Sequence, residues 1–306
     1  KWGMGNVLVT NNAPEHIAQF EGWFDLVAVD APCSGEGMFR KEEVAREDWS
    51  EDAVRMCAAR QLSIVREAWQ SLKDGGLFIY STCTFNRSED ENILERAMEL
   101  YSESFEAVDE ISVGENWGVV VGQVGAFRTY RFFPHKLSGE GMFMAVARKA
   151  GVASKRRQLK SRRQIIAAVD KRSAEELGRW VREPEGMKFF AAGEMLYGCR
   201  KEHYGDIEAL SGVLSVIYSG VAMGQIFKGT LKPEHSLALF VGRNRDVVPE
   251  VELSLEDAQN YLRRQDIDAK QFSEGVNVVT YKGVAIGFIK HIGARCNNMY
   301  TKDLRI

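Results

Sequence analysis

The chain has 306 residues, 45% of them hydrophobic, and a net charge of −3, which suits a globular protein with two or more domains. That charge does not by itself indicate a nucleic-acid-binding protein. The five cysteines are scattered and never spaced CxxC: Cys33, Cys57, Cys83, Cys199 and Cys296. This pattern disfavours a disulfide framework or a zinc site, and no signal peptide or membrane-spanning apolar run is present. We therefore expect a monomeric cytoplasmic protein with no metal and no membrane partner.

Strand and helix patterns alternate over residues 1–150. Four apolar runs predict buried strands: NVLVT (6–10), FDLVAVDA (24–31), LFIYST (77–82) and MFMAVARK (142–149). Three stretches predict helices: one from Pro14, one over 52–72, and one from a Ser88/Glu91 capping box to about Tyr101. The glycines of KDGG (73–76) are expected to end the long helix. This alternation predicts an α/β domain with a parallel sheet.

The composition changes after residue 150. The run KRRQLKSRR (155–163) has six basic residues in nine and no acidic residue, which indicates either a solvated linker or a stripe that contacts phosphates. No elements are assigned over 164–250. A capped helix is predicted from Ser254, and two strands are predicted over 276–290 about a Lys282–Gly283 turn. We expect a basic linker and central domain at 151–250 and a small α+β domain at 251–306.

Two cysteines follow predicted strands at equivalent positions, in DAPC (30–33) and STCT (81–84). Ligands of open α/β sheets bind beyond the carboxyl ends of the strands. If these two strands are neighbours, Cys33 and Cys83 face one cleft with Asp30 beside them. The alternative is that each cysteine is a small apolar residue near a strand end, and the paired occurrence favours reactive thiols. A cysteine hydrolase would need a histidine base, and no motif around His16 or His135 suggests one.

The cysteine motifs resemble a known family. DAPCSGEGMFRK, followed fifty residues later by LKDGGLFIYSTCTFNRSEDENIL, resembles the bacterial RsmF-type ribosomal RNA (cytosine-5) methyltransferases of the NOP2/Sun family. RFFPHKLSGEGMFMA (131–145) resembles the closing block of that family, and the last fifty residues resemble its PUA-like domain. The resemblance implies a Rossmann-like S-adenosylmethionine-dependent methyltransferase sheet, a connector domain and a PUA-like α+β domain. The family's glycine-rich donor loop is expected upstream of residue 1, so the chain is expected to be a carboxyl-terminal portion.

The resemblance also implies roles for individual residues. Cys83 would be the nucleophile, and Cys33 would help to release the product. Asp30 would contact the cytosine edge and lie near the methyl donor, and Asn12 occupies a position where relatives often carry a donor-contacting aspartate. The RNA substrate would contact Pro32, Arg40 and Lys41. In the PUA-like domain, four basic residues favour RNA contact: Lys282, Lys290, Arg295 and Lys302.

The chemistry of cytosine is consistent with these roles. Carbon 5 is too weak a nucleophile to accept a methyl group unaided, and addition of a thiolate to carbon 6 activates it. An acid at Asp30 could support ring nitrogen 3, and the base must be single-stranded or flipped. The expected function is methyl transfer from S-adenosylmethionine to carbon 5 of a cytidine in 16S ribosomal RNA, through a covalent cysteine–cytosine intermediate. The alternatives are a non-catalytic RNA-binding protein that has lost its donor-binding half, and a cysteine hydrolase acylated at Cys33.

Overall fold

The computed structural model describes residues 2–101, 104–152 and 165–306. Their contacts divide them into two compact units. We call residues 12–152 the sheet unit, and residues 2–11 with 165–306 the terminal unit. The basic run 155–163 lies outside the described residues. Within them, no helix has the length and apolar character needed to cross a lipid bilayer.

The sheet unit is built on one mixed sheet with helices packed against it. Strand β1 (Leu8–Thr10) precedes it in the chain but belongs to the terminal unit. The elements of the sheet unit are α1 (Pro14–Ala18), β2 (Phe24–Asp30), α2 (Glu43–Asp48), α3 (Glu51–Ser71), β3 (Leu72–Thr82), α4 (Glu91–Leu100), β4 (Phe105–Glu106), β5 (Val120–Val124), β6 (Phe127–Phe132) and β7 (Met142–Lys149).

The α/β class is confirmed, but the sheet is mixed and not parallel. Its order is β2-β3-β7-β6-β5, with β4 beside β7. Strands β2 and β3 are parallel, because α3 crosses between them, whereas β7 runs antiparallel to β3. The register of the parallel pair places Asp30 opposite Ser81. The loops that follow β2 and β3 therefore leave the same edge of the sheet.

Helix α3 supports this pair of strands. It begins after Ser50, whose hydroxyl accepts a hydrogen bond from Ala53 N, and the prediction over 52–72 is confirmed to within one residue. Its apolar face reaches the core, where the Trp69 and Phe78 rings pack edge to face at 5.5 Å. The helix ends at Ser71, before KDGG. The prediction that these glycines end it is wrong, because they form an irregular stretch inside β3, where Gly75 has a φ of 74°.

Helix α4 is confirmed, but its predicted capping box is wrong. The helix begins at Glu91, and its N-cap residue is Asp90, whose side chain makes no capping hydrogen bond. The Asp90 carboxylate instead accepts a hydrogen bond from Thr82 Oγ1 (2.7 Å) and pairs with Arg131 (3.0 Å). Burial raises the Asp90 pKa to about 8. A tertiary contact has displaced the local cap.

The terminal unit contains three sheets. Its further elements are β8 (Ala167–Ala168), α5 (Lys171–Arg179), β9 (Met187–Ala192), β10 (Met195–Arg200), α6 (Lys201–Ser211), β11 (Val216–Ser219), β12 (Val221–Phe227), β13 (Thr230–Pro233), α7 (His235–Leu239), β14 (Glu250–Glu252), α8 (Leu255–Leu262), β15 (Gly275–Tyr281), β16 (Val284–Ile292) and β17 (Arg295–Asn298). The sheet orders are β1-β11, β13-β12-β10-β9-β8 and β14-β15-β16-β17.

Local signals in this unit identified one helix and one hairpin correctly. Ser254 caps α8 by accepting a hydrogen bond from Asp257 N (3.1 Å), as predicted. The predicted β15–β16 hairpin is also confirmed, and its turn residues Lys282 and Gly283 have φ angles of 51° and 74°. The assignment of NVLVT to the first sheet is wrong. Strand β1 pairs antiparallel with β11, and Val9 is 42% exposed.

Residues on both sides of position 250 share one core. The Trp180 ring packs edge to face on Phe288 at 6.0 Å, and α7 packs against both β12 and β16. The central stretch and the PUA-like stretch are therefore connected by buried apolar contacts. The division predicted at residue 250 stays a prediction.

Candidate active site

Two cysteine side chains meet at the carboxyl edge of the parallel strand pair. Cys33 follows β2, Cys83 follows β3, and both thiols are half-buried. Their Sγ atoms are 2.9 Å apart, within hydrogen-bonding distance. Because β2 and β3 are neighbouring parallel strands, two residues fifty positions apart in sequence lie side by side at the same edge of the sheet. The structure thus brings together the two cysteines that the sequence singled out.

The pair is electrostatically unequal. The hydrogen bond that Cys33 donates lowers the pKa of Cys83 to about 7, although burial and the charges of Asp30 and Glu89 act in the opposite direction. The same hydrogen bond, together with burial and the nearby Cys83 charge, raises the pKa of Cys33. Cys83 is therefore the thiol that ionises near neutral pH, and Cys33 remains protonated as its donor. A nucleophilic thiolate at Cys83 needs no histidine.

Behind the cysteines, the carboxylate of Glu89 connects the two loops. It is fully buried and lies between α4 and the strand edge. It accepts hydrogen bonds from Ser34 N (2.9 Å), Gln61 Nε2 (2.8 Å) and Asn86 Nδ2 (2.8 Å). Three donors offset the cost of burying the charge. Glu89, which follows Cys83 in the chain, thereby holds the backbone of the residue next to Cys33.

Glu36 makes the reciprocal connection. It belongs to the Cys33 loop and accepts hydrogen bonds from Phe85 N (2.6 Å) and Asn86 Nδ2 (3.1 Å) of the Cys83 loop. Each loop therefore supplies a carboxylate to a backbone N–H of the other. We call this arrangement, made by Glu36 and Glu89 with Ser34, Phe85 and Asn86, the two-loop clasp. It holds the two Sγ atoms at their observed separation.

A close backbone approach completes this arrangement. Gly37 N donates a hydrogen bond to the Cys83 carbonyl oxygen (2.7 Å). A Cβ atom at Gly37 would lie 2.6 Å from that oxygen and 3.3 Å from the carbonyl oxygens of Glu140 and Gly141. The hexapeptide SGEGMF occurs at 34–39 and again at 138–143. Gly37 of the first copy therefore lies against Glu140 and Gly141 of the second. Only glycine fits at position 37 without a shift of the backbone.

The other predicted site residues are distributed around this edge. Asp30 is exposed at the end of β2, and Ser81 Oγ lies 3.5 Å from its carboxylate. Pro32 is also exposed, and its carbonyl oxygen accepts a hydrogen bond from Gln61 Nε2 (2.9 Å). Arg40 binds the Gly139 carbonyl oxygen and the Glu140 carboxylate, and Lys41 is exposed. The charge of Asp30 thus acts on Cys83, whereas the Arg40 guanidinium is bound to Gly139 and Glu140 of the same chain.

Asn12 does not share this edge by strand position. It precedes α1, and its Nδ2 lies 3.2 Å from His16 Nδ1. The strand before it, β1, pairs with β11 and not with the sheet that carries the cysteines. Among the described residues, neither His16 nor His135 hydrogen-bonds to a cysteine sulfur. That geometry gives a cysteine hydrolase no histidine base.

The sequence reasoning missed the residues that hold the loops in place. Gln61 offered a signal, because it occupies a core-facing position of α3, four residues before Val65, and is fully buried. A polar residue on an apolar helix face needs buried partners. Glu36 and Glu89 lay inside the quoted motifs, but no local pattern distinguished them from solvent-exposed acids. The described residues contain no cluster of His, Cys, Asp and Glu suited to a metal ion.

Comparison with known protein families agrees with this organisation. The family model for the 16S rRNA methyltransferase RsmB/F matches residues 1–148, and the model for the methyltransferase RsmF PUA domain matches residues 248–306. The sheet unit and the end of the chain therefore resemble the two parts of one class of methyltransferase, the RsmB/F type.

Individual relatives show the same relationship. The ribosomal RNA small subunit methyltransferase F of Vibrio atlanticus is 28% identical over 93% of this chain and 61% of its own length. The protein of the same name from Photobacterium profundum is 29% identical over 93% of this chain and 61% of its own length. The chain thus spans about three fifths of these relatives. A methyltransferase homolog from Pyrococcus horikoshii of known structure is 24% identical, with a TM-score of 0.34, covering 45% of this chain and 43% of its own.

Proposed function

We propose that this protein transfers a methyl group from S-adenosylmethionine to carbon 5 of a cytidine in 16S ribosomal RNA, with Cys83 as the covalent nucleophile. The observation that carries the proposal is the 2.9 Å contact between the two sulfurs, which lowers the pKa of Cys83 to about 7. The match of residues 1–148 to the RsmB/F methyltransferase family model supports the reaction and the substrate. RNA is then the partner. The monomeric state and cytoplasmic location expected from the sequence stay predictions.

In this mechanism the Cys83 thiolate attacks carbon 6 of the cytosine. A sulfur–carbon bond forms, and the electron pair of the ring double bond makes carbon 5 nucleophilic. Asp30, at the end of the neighbouring strand, can as a protonated carboxyl group donate a hydrogen bond to ring nitrogen 3, where electron density accumulates. S-adenosylmethionine bound beside carbon 5 would supply an electrophilic methyl group and leave as S-adenosylhomocysteine. Transfer of the carbon-5 proton to water would then restore the double bond and expel the Cys83 sulfur as a thiolate.

Cys33 acts in that last step. Its S–H group lies next to the departing sulfur and donates a hydrogen bond to the Cys83 thiolate as it forms. A lowered pKa also makes Cys83 a better leaving group, because the thiolate is the more stable form. Without Cys33, fewer Cys83 thiols are ionised, so addition slows but still proceeds. Elimination slows more, because the departing thiolate has lost its hydrogen-bond donor. Cys33 is thus the helper and Cys83 the nucleophile.

The residues expected to hold the methyl donor fit it unequally. Asp30 is exposed at the carboxyl end of β2 and can accept hydrogen bonds from S-adenosylmethionine bound there. Asn12 is engaged with His16 and follows a strand that belongs to the terminal unit. We therefore assign Asp30 to the donor side of the site and rest no step on Asn12.

Cysteine variants of the full-length protein test the proposal. Each is incubated with 16S ribosomal RNA and S-adenosylmethionine, and the products are separated under denaturing conditions. We expect Cys83→Ala to lose methyl transfer and form no covalent complex, while binding RNA normally. Cys33→Ala should accumulate a protein–RNA complex that disappears on nuclease treatment. The double variant should lose this complex, and Cys57→Ala should behave like the wild type.

The same experiment separates the alternatives. Adduct in Cys83→Ala but not in Cys33→Ala would reverse the two roles. Wild-type protein that binds RNA without incorporating methyl groups under any condition would support the non-catalytic RNA-binding alternative. Acylation of Cys33 by simple esters, with no response to S-adenosylmethionine, would support the hydrolase.

A further inference from the structure

The terminal unit contains a large cleft that neither family match assigns to a function. Its volume is about 1180 Å³. One wall comes from the central stretch, chiefly β12 and β13, and the other from β16, β17 and the residues that follow them. The central wall lies between the two matched ranges, 1–148 and 248–306. A role for this cleft would therefore give the central stretch a function.

The cleft has a basic lining. Four cationic side chains line it: Lys232, Arg264, Lys290 and Lys302. Within the part of the chain that the structure describes, none of the four forms an ion pair with an acidic residue. Two carboxylates, those of Glu194 and Glu234, also line the cleft. Cations without acidic partners around a concave surface favour a polyanionic ligand.

An aromatic ring projects at the edge of the cleft. Phe227 ends β12, lines the cleft, and is 70% exposed. The next two residues, Lys228 and Gly229, form the hairpin turn with φ angles of 51° and 83°, and Lys228 Nζ lies 5.6 Å from the Phe227 ring centroid. The turn fixes the ring and a cation in one arrangement outside the core. An exposed ring beside a cation suits stacking against a nucleobase.

The same arrangement recurs at the β15–β16 hairpin of this unit. Tyr281, Lys282 and Gly283 repeat the aromatic–Lys–Gly order of residues 227–229. Lys282 Nζ lies 5.6 Å from the Tyr281 ring centroid, and both turns place their lysine at a φ of 51°. The β12–β13 tip differs in bordering the basic cleft. The combination of ring and cationic cleft is what points to a nucleic acid.

We propose that this cleft binds a single-stranded segment of the RNA substrate, with a base stacked on Phe227 and phosphates contacted by Lys232, Arg264, Lys290 and Lys302. This proposal rests on the proposed function, which makes RNA the partner, and deepens it by adding a contact outside the sheet unit. An acidic protein would use the cations but would have no need of the exposed ring. A duplex would hide its base faces from Phe227. Single-stranded RNA uses both features.

Fluorescence anisotropy with a labelled single-stranded oligoribonucleotide of mixed sequence tests the cleft in the full-length protein. We expect Phe227→Ala to weaken binding at least about fivefold, the lower end of the effect of removing a stacked aromatic. Lys232→Gln and Lys290→Gln should each reduce the slope of log affinity against log salt by about 0.7. Trp117→Ala is the matched control for an exposed ring, since Trp117 is 60% exposed in the sheet unit. Lys201→Gln is the control for charge, because Lys201 is exposed outside the cleft.

Competition experiments identify the ligand class. Unlabelled single strand should displace the probe better than the same RNA as a duplex, and better than poly-glutamate of equal charge. Equal displacement by poly-glutamate would assign the cleft to an acidic protein and overturn the proposal, as would unchanged affinity in Phe227→Ala. The covalent complex formed by Cys33→Ala is measured separately. If that complex forms while the cleft variants bind normally, the cleft assignment fails and the proposed function stands.

Discussion

Removing the Cys33 thiol should change the ionisation of Cys83 more than any other substitution near the site. In the wild type, the hydrogen bond from Cys33 is the largest influence on the Cys83 pKa and holds it at about 7. Cys33→Ala deletes this donor. Burial and the charges of Asp30 and Glu89, which raise the pKa, then remain together with a backbone hydrogen bond at Cys83, which lowers it. We therefore expect the Cys83 pKa to rise to about the ordinary thiol value of 9.0.

The size of the effect follows from this shift. At pH 7 a thiol with a pKa of about 7 is roughly half ionised, whereas one with a pKa of 9 is about 1% ionised. Alkylation of Cys83 at pH 7 should therefore slow by about 50-fold. Two pKa units correspond to about 2.7 kcal/mol, which lies within the range for a hydrogen bond to a charged group. The difference should vanish above about pH 10, where both proteins carry the thiolate.

The assay is alkylation by iodoacetamide across pH 5 to 10, followed by mass spectrometry of the Cys83 peptide. Cys33→Ser is the matched control, because a serine hydroxyl still donates a hydrogen bond to the thiolate. The pH midpoint of Cys83 alkylation in this variant should therefore stay close to that of the wild type. Cys57 provides an internal reference in each sample, since its pKa is raised mainly by burial and does not depend on Cys33. A Cys33→Ala midpoint within half a unit of the wild type would refute the reasoning.

The remaining predictions concern the packing behind the cysteines. Glu89→Gln should lower the free energy of unfolding by roughly 1–3 kcal/mol, because the new NH2 group is a donor that would face groups which themselves donate to Glu89. An unchanged urea midpoint would contradict this. In a double-mutant cycle, the loss of unfolding free energy in the Glu36→Gln/Glu89→Gln variant should differ from the sum of the two single losses, because both carboxylates bind Asn86. Strict additivity would show that the two carboxylates stabilise the protein independently. Gly37→Ala should destabilise the protein by about 1–3 kcal/mol in thermal unfolding, whereas Gly186→Ala, which has open space around it, should not; equal effects would argue against the close approach.

Features whose hydrogen bonds are local could be predicted from the amino-acid sequence. Helix α3, the Ser254 cap of α8 and the Lys282–Gly283 turn were all predicted correctly, because each depends on residues a few positions apart. The two cysteine motifs also account for the resemblance to RsmF-type methyltransferases, because the chemistry constrains which residues follow the two strands. The same motifs indicate Cys33 and Cys83 as a pair of reactive thiols.

Contacts between distant segments could not be predicted in this way, because they depend on how the whole chain folds. An apolar run such as NVLVT forms a strand with any suitable edge, so its pairing with β11 could not be inferred from the run itself. Asp90 is the N-cap residue of α4, but its side chain makes no capping hydrogen bond because its carboxylate is engaged by Thr82 and by Arg131, forty-one residues later. Likewise, the 2.9 Å contact between the sulfurs depends on a parallel strand pair and on two carboxylates that each bind the opposite loop. The lowered pKa of Cys83, on which its proposed role as nucleophile depends, is set by these long-range contacts, because a thiol's ionisation responds to its neighbours in space and not in sequence.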